Sequence, residues 1–225
     1  MTARVDHLVV GAASLAQGVA WAEATLGVVP GPGGEHPLMA THNRLLRVAT
    51  VDYPRAYLEI LAVQPGRQPQ RARRWFDLDD ETVRDTLQRS GPRLLHFVAS
   101  VDDVRQATRA LAECGIERGE VVPASRMTPR GRLEWQITLR ADGQRLFGGA
   151  LPTLIEWGAV HPAAAMPESG VTLQSFGVRH PQAALLRQAG AAIGLQGVAI
   201  RQGEANVCAT LDTPHGRVKL ESGAP

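Results

Sequence analysis

LLHFVASVDD, Leu94 to Asp103, places a histidine in the middle of an apolar, β-prone run and closes on an acidic turn. VDHLVVGAAS, Val5 to Ser14, has nearly the same form. Leu15 stands eight residues after His7, and Val104 eight residues after His96. Each run leads into a stretch with helical spacing. SLAQGVAWAEATLG offers Ser14 as N-cap and Gly27 as a stop, and DDVRQATRALAECG offers Asp102 and Gly115. Three strand candidates follow each helix: around Val28, NRLLRVAT and AYLEILAV in the first copy, and ERGEVV, LEWQITLR and LPTLIEWG in the second. The unit reads β-α-β-β-β, twice.

A third copy follows HPAAAMPESG. VTLQSFGVR is its first strand, PQAALLRQAGAAIG its helix, and GVAIRQ, NVCATLDT and GRVKLES its later strands. Ser175 falls where His96 stands, and Lys219 where a last-strand glutamate would stand. The expected layout is an α+β chain with modules at 1–64, 93–160 and 170–225, the third degenerate. Residues 65–92 form a linker with a short helix. The first two modules should form a cleft, with the third appended.

Composition narrows the function classes. With 44% hydrophobic and 20% charged residues, 225 residues suffice for a real core. A net charge of +2 with mixed signs gives no nucleic-acid surface, and the one basic run, RQPQRARRW, reads as a solvated face. No stretch has the length of a membrane span or the form of a signal peptide. Two isolated cysteines, Cys114 and Cys208, indicate neither a disulfide framework nor a zinc site. The expected setting is cytoplasmic.

Both modules also carry a carboxylate in the last strand, Glu59 in AYLEILAV and Glu156 in PTLIEWG. A lone strand histidine is usually a hydrogen-bonded core residue, and a lone strand glutamate is usually exposed or paired. The same two residue types at equivalent places in two repeats alter that balance. Unpaired buried carboxylates cost several kcal/mol, about 2–7 for a polar group without a partner, and a divalent cation removes the cost. His7, Glu59, His96 and Glu156 would supply nitrogen and oxygen ligands suited to Zn, Ni, Mn or Fe. GEHPLMATHN reads as a loop, whose His36, His42 and Asn43 could contact substrate. His161, His180 and His215 read as turn or surface residues.

The duplicated β-α-β-β-β unit with its His, Glu, His, Glu order resembles the vicinal oxygen chelate superfamily. HFVASVDD is similar to the start of the second module in metal-dependent glyoxalase I enzymes. GEHPLMATHNRLLRV, AYLEIL and HPAAAMPESG are similar to a glyoxalase-like domain family. The resemblance implies one divalent metal ion and a small-molecule substrate bound through adjacent oxygens. It implies isomerase or lyase chemistry with Glu59 or Glu156 as general base, and it allows a homodimer. It leaves two rivals: a non-catalytic small-molecule-binding protein of the same fold, and an iron-dependent dioxygenase.

Overall fold

The two histidine runs lie side by side. β1 (Ala3–Gly11) and β5 (Arg93–Ser100) pair antiparallel at the centre of the main sheet. On its other side β1 pairs in parallel with β4 (Tyr57–Val63), followed outward by β3 (Thr41–Arg47) and β2 (Gly31–His36). β5 pairs in parallel with β8 (Thr153–Trp157), followed by β7 (Gly131–Leu139) and β6 (Glu120–Thr128). The order β2-β3-β4-β1-β5-β8-β7-β6 is therefore symmetric about the β1/β5 seam. This computed structural model describes residues 1–128 and 131–223. Residues 129, 130, 224 and 225, which belong to the second and third expected modules, lie outside the described residues.

The sheet is a mixed one curled into a half-barrel, an α+β arrangement of glyoxalase type. Its outer face is covered by α1 (Leu15–Leu26) and α3 (Val104–Glu113). Ser14 caps α1, and Gly27, at φ 73°, ends it in the left-handed region. Asp103 caps α3, one residue later than expected. Leu8, Val10, Leu58, Ile60, Phe97 and Leu154 point outward into the helix-covered core. The alternate residues Val9, Leu61, Val98, Ile137 and Ile155 form a second, inner cluster. α2 (Glu81–Ser90) lies in the linker, and its Leu87 packs into that inner cluster. Among the described residues no helix is long and apolar enough to cross a membrane.

The third unit keeps the element order but pairs differently. It runs β9 (Thr172–Arg179), α4 (Ala183–Ala192), β10 (Leu195–Gln196), β11 (Ala199–Arg201), β12 (Asn206–Thr213) and β13 (Gly216–Glu221). β10 leaves it to extend β1, and the rest form a separate sheet in the order β11-β9-β12-β13. In the first two copies the first strand pairs with the last. Here β9 pairs with β12, antiparallel. The inner face of this sheet, including Phe176, Val207 and Leu211, joins the main core. Ser175 and Lys219 lie exposed on its outer side, both opposite Thr210.

Two expectations near the N-terminal edge change. The first of the later strands begins at Gly31, not near Val28. The expected loop holding His36, His42 and Asn43 is mostly strand: His36 ends β2, and His42 and Asn43 lie in β3. The glycines that suggested turns have a packing role. A Cβ at Gly33 would lie 2.1 Å from the Asn43 carbonyl oxygen, and one at Gly34 would lie 1.9 Å from Arg126 Nη1.

Candidate active site

A β-bulge builds the centre of the site. Val5 pairs with Ala99 and His7 with Val98, so Asp6 is an extra residue in β1. In a regular strand Asp6 and His7 would face opposite ways. Here their side chains meet, and His7 Nδ1 lies 2.7 Å from Asp6 Oδ1. Trp157 Nε1 donates to Asp6 Oδ2 at 2.9 Å, and His161 Nε2 lies 2.9 Å from the same oxygen. His161 Nδ1 accepts from the Ala163 amide, so its proton is on Nε2 and points at Asp6. Burial would raise the pKa of Asp6. The hydrogen bonds from His161 and His7 outweigh it and hold the carboxyl well below the usual carboxylate range. Asp6 is therefore a fixed anion, and it holds the His7 proton on Nδ1.

The free Nε2 of His7 then lies 3.6 Å from Glu59 Oε2. The Tyr57 ring stacks on His7, with centroids 4.6 Å apart, and fixes the imidazole plane. Asn43 Nδ2 donates to Glu59 Oε1 at 2.5 Å, while Asn43 Oδ1 accepts from the Gly34 amide at 2.7 Å. His36 Nε2 lies 3.8 Å from the same Glu59 oxygen. Burial lowers the pKa of His36 to about 4 despite Glu59 beside it, so it is neutral at pH 7. These side chains border a cleft walled by Trp75, Phe76, Trp135 and Trp157, with Arg126 among its lining residues.

The expected four-residue set is split. His7 and Glu59 come together, but His96 and Glu156 do not join them in the cleft lining. The Thr153 amide donates to His96 Nε2 at 3.1 Å, so Nδ1 carries the proton and donates to the Gly149 carbonyl at 3.2 Å. Both nitrogens are occupied, and burial holds the imidazole well below its usual pKa. Glu156 alternates with Ile155 and Trp157, which line the cleft, and so faces the helix side. There its Oε2 accepts from the Val104 amide at 2.9 Å, at the start of α3. Neither residue has a free electron pair directed at His7. Among the described residues no group of three or more His, Cys, Asp or Glu side chains is arranged to hold a metal ion. The four-ligand metal set implied by the resemblance does not fit, and Glu156 does not fit as a base in this cleft.

Of the expected substrate contacts, His36 and Asn43 line the cleft. His42 does not: it alternates with Thr41 and Asn43 and lies on the other face of β3. His161, expected in a turn or at the surface, does begin a short 3-10 turn, yet it is buried against Asp6. Asp6 and Arg126 were not singled out in the sequence. The available signal for Asp6 was two adjacent polar residues inside an apolar strand.

A family model described as a glyoxalase-like domain matches residues 5–194. No curated protein sequence matches. Among solved structures, a hypothetical protein from Staphylococcus aureus is 13% identical with a TM-score of 0.58, over 98% of this chain and 85% of that one. Methylmalonyl-CoA epimerase from Streptomyces coelicolor, in complex with 2-nitronate-propionyl-CoA, is 19% identical with a TM-score of 0.43, over 72% of this chain and 99% of that one. The epimerase from Mycobacterium tuberculosis is 17% identical with a TM-score of 0.38, over 72% and 91%. The domain match spans most of the chain, and the chain belongs to the glyoxalase-like domain family.

Proposed function

We propose that this protein is an enzyme of isomerase or lyase type that moves a proton beside a carbonyl in a small oxygenated substrate. The observation that carries the reading is the line from Asp6 through His7 to Glu59 at one cleft. Asp6 holds the His7 proton on Nδ1 and stabilises the imidazolium that forms when Nε2 accepts a second proton. Glu59 is the partner group. Its Oε1 is held by Asn43, and its Oε2 lies beside Nε2. Two acid–base groups 3.6 Å apart reach neighbouring atoms of one substrate. One removes a proton from carbon while the other serves the adjacent oxygen or carbon. Neutral His36 and the aromatic walls keep the surroundings poor in water, which strengthens the charge interactions.

The test is solvent deuterium exchange into small 2-hydroxy and 2-oxo compounds, followed by proton NMR. Wild type should exchange the hydrogen next to the carbonyl. His7→Gln and Glu59→Gln should each lose most of the rate. Exchange that is absent with wild type, or that proceeds at the wild-type rate in both variants, overturns the reading. The same fold without chemistry would then remain as a binding protein.

A further inference from the structure

We propose that Arg126 Nη1 and Trp75 Nε1 anchor the carboxylate of a small organic acid in the cleft. The inference deepens the proton-transfer reading, since it makes the substrate class a short 2-hydroxy or 2-oxo acid.

Both residues line the cleft. Both atoms are buried and have no hydrogen-bond partner among the described residues. Buried donors are rarely left so, and each such group calls for an explanation. Arg47, Arg74 and Arg93 also have an unpartnered Nε, but the first two use other guanidinium nitrogens on a carboxylate, Glu168 and Asp79, and Arg93 does not line the cleft. For Arg126 no carboxylate among the described residues is bonded to Nη1. A guanidinium is a fork of donors without an acceptor, and it matches the two oxygens of a carboxylate. The indole N–H adds a third donor and no charge.

The position is built rather than incidental. Trp75 comes from the linker and Arg126 from β6, two separate segments that both follow Glu59 in the sequence. Gly34 of β2 gives the guanidinium its room, because a Cβ there would lie 1.9 Å from Nη1. The free space is about 40 Å³, roughly three water molecules, which suits a two- or three-carbon acid. With Arg126 bound to the carboxylate, the hydrogen-bearing carbon, C2 of a 2-hydroxy acid or C3 of a 2-oxo acid, is the one offered to the acid–base pair.

The experiment is calorimetric titration of the full chain with lactate, its neutral amide lactamide, and inorganic phosphate. Lactate should bind saturably at millimolar concentrations, and lactamide about tenfold or more weakly. Arg126→Gln should erase that difference, and Arg126→Lys should keep part of it. Trp75→Phe, which keeps the ring and removes only the N–H, should weaken lactate a few-fold. His7→Gln should still bind lactate while failing to exchange deuterium, so the anchor and the chemistry fail separately. Equal binding of lactate and lactamide, no binding of either, tighter binding of phosphate than lactate, or wild-type binding by a folded Arg126→Gln each overturn the proposal.

Discussion

The two halves of the main sheet repeat one backbone device and use it differently. β1 carries an extra residue just before His7, and β5 carries one just before His96: Val10 pairs with Leu94 and Val9 with His96, leaving Leu95 extra. The bulged residue is aspartate in the first half and leucine in the second. Beside aspartate, the histidine has its Nδ1 proton fixed and its Nε2 directed at Glu59. Beside leucine, the histidine turns to Gly149 and Thr153 and becomes a core polar residue. Duplication supplies two frames, and under the proposed function the neighbour of each histidine decides which frame holds the acid–base group. The second half supplies walls instead: Trp135, Ile137, Ile155 and Trp157.

The sharpest break in this contrast is the pair His7→Gln and His96→Gln. The first should lower deuterium exchange by about 10²–10⁴-fold, the range for a general base, with little change in unfolding midpoint. Asp6→Asn should follow it, because the tautomer is no longer held. The second should leave exchange in the folded protein intact. If His96→Gln abolishes exchange while the fold persists, the asymmetry is wrong.

Stability should show the reverse order. His96→Ala strands the Thr153 amide and the Gly149 carbonyl and opens a hole beside Phe76. A loss of about 3–4 kcal/mol in urea unfolding is expected. His7→Ala, at the border of the cleft, should lose less. Equal losses would mean that both histidines are structural.

A pH titration isolates His36. Its folded pKa of about 4 lies below the ordinary 6.5, so the unfolded chain binds the proton first as pH falls. The stability due to neutral His36 is present above pH 6.5 and is lost as pH drops toward 4, by about 3 kcal/mol in all. His96 loses stability in the same direction. The check is the urea midpoint against pH for wild type and His36→Asn. The variant should show a shallower fall over that window, and curves of equal slope would rule out the His36 contribution.

The smallest effect belongs to Glu156. Glu156→Gln should cost about 1 kcal/mol through the weakened bond to the Val104 amide and leave exchange unchanged. Metal uptake, measured by elemental analysis after incubation with Zn or Mn, should be the same in this variant, in His96→Gln and in wild type.

The duplication was legible because apolar periodicity, capping residues and helix-ending glycines repeat at matched positions. His7, Glu59, His36 and Asn43 were legible as polar residues set among apolar ones. The direction of Glu156 was not. β8 lies inside the sheet with Leu154 buried on one side and Ile155 on the other, so its neighbours are apolar on both faces and alternation carries no sign. Asp6 was hidden for another reason: adjacent strand residues point apart unless a bulge intervenes, and a bulge depends on the partner strand. Arg126 lies in a strand with a polar, half-exposed pattern, and only the curl of the sheet brings it to the cleft.

β2 and β6 are the two free margins of the main sheet, and Arg126 of one rests against Gly34 of the other. A single side chain thus acts as a clasp between the ends of an open ribbon. Unpaired strand margins are where chains join one another into aggregates. A ligand seated on the guanidinium would keep the clasp shut, so occupancy would protect the molecule from its own kind as well as set it to work.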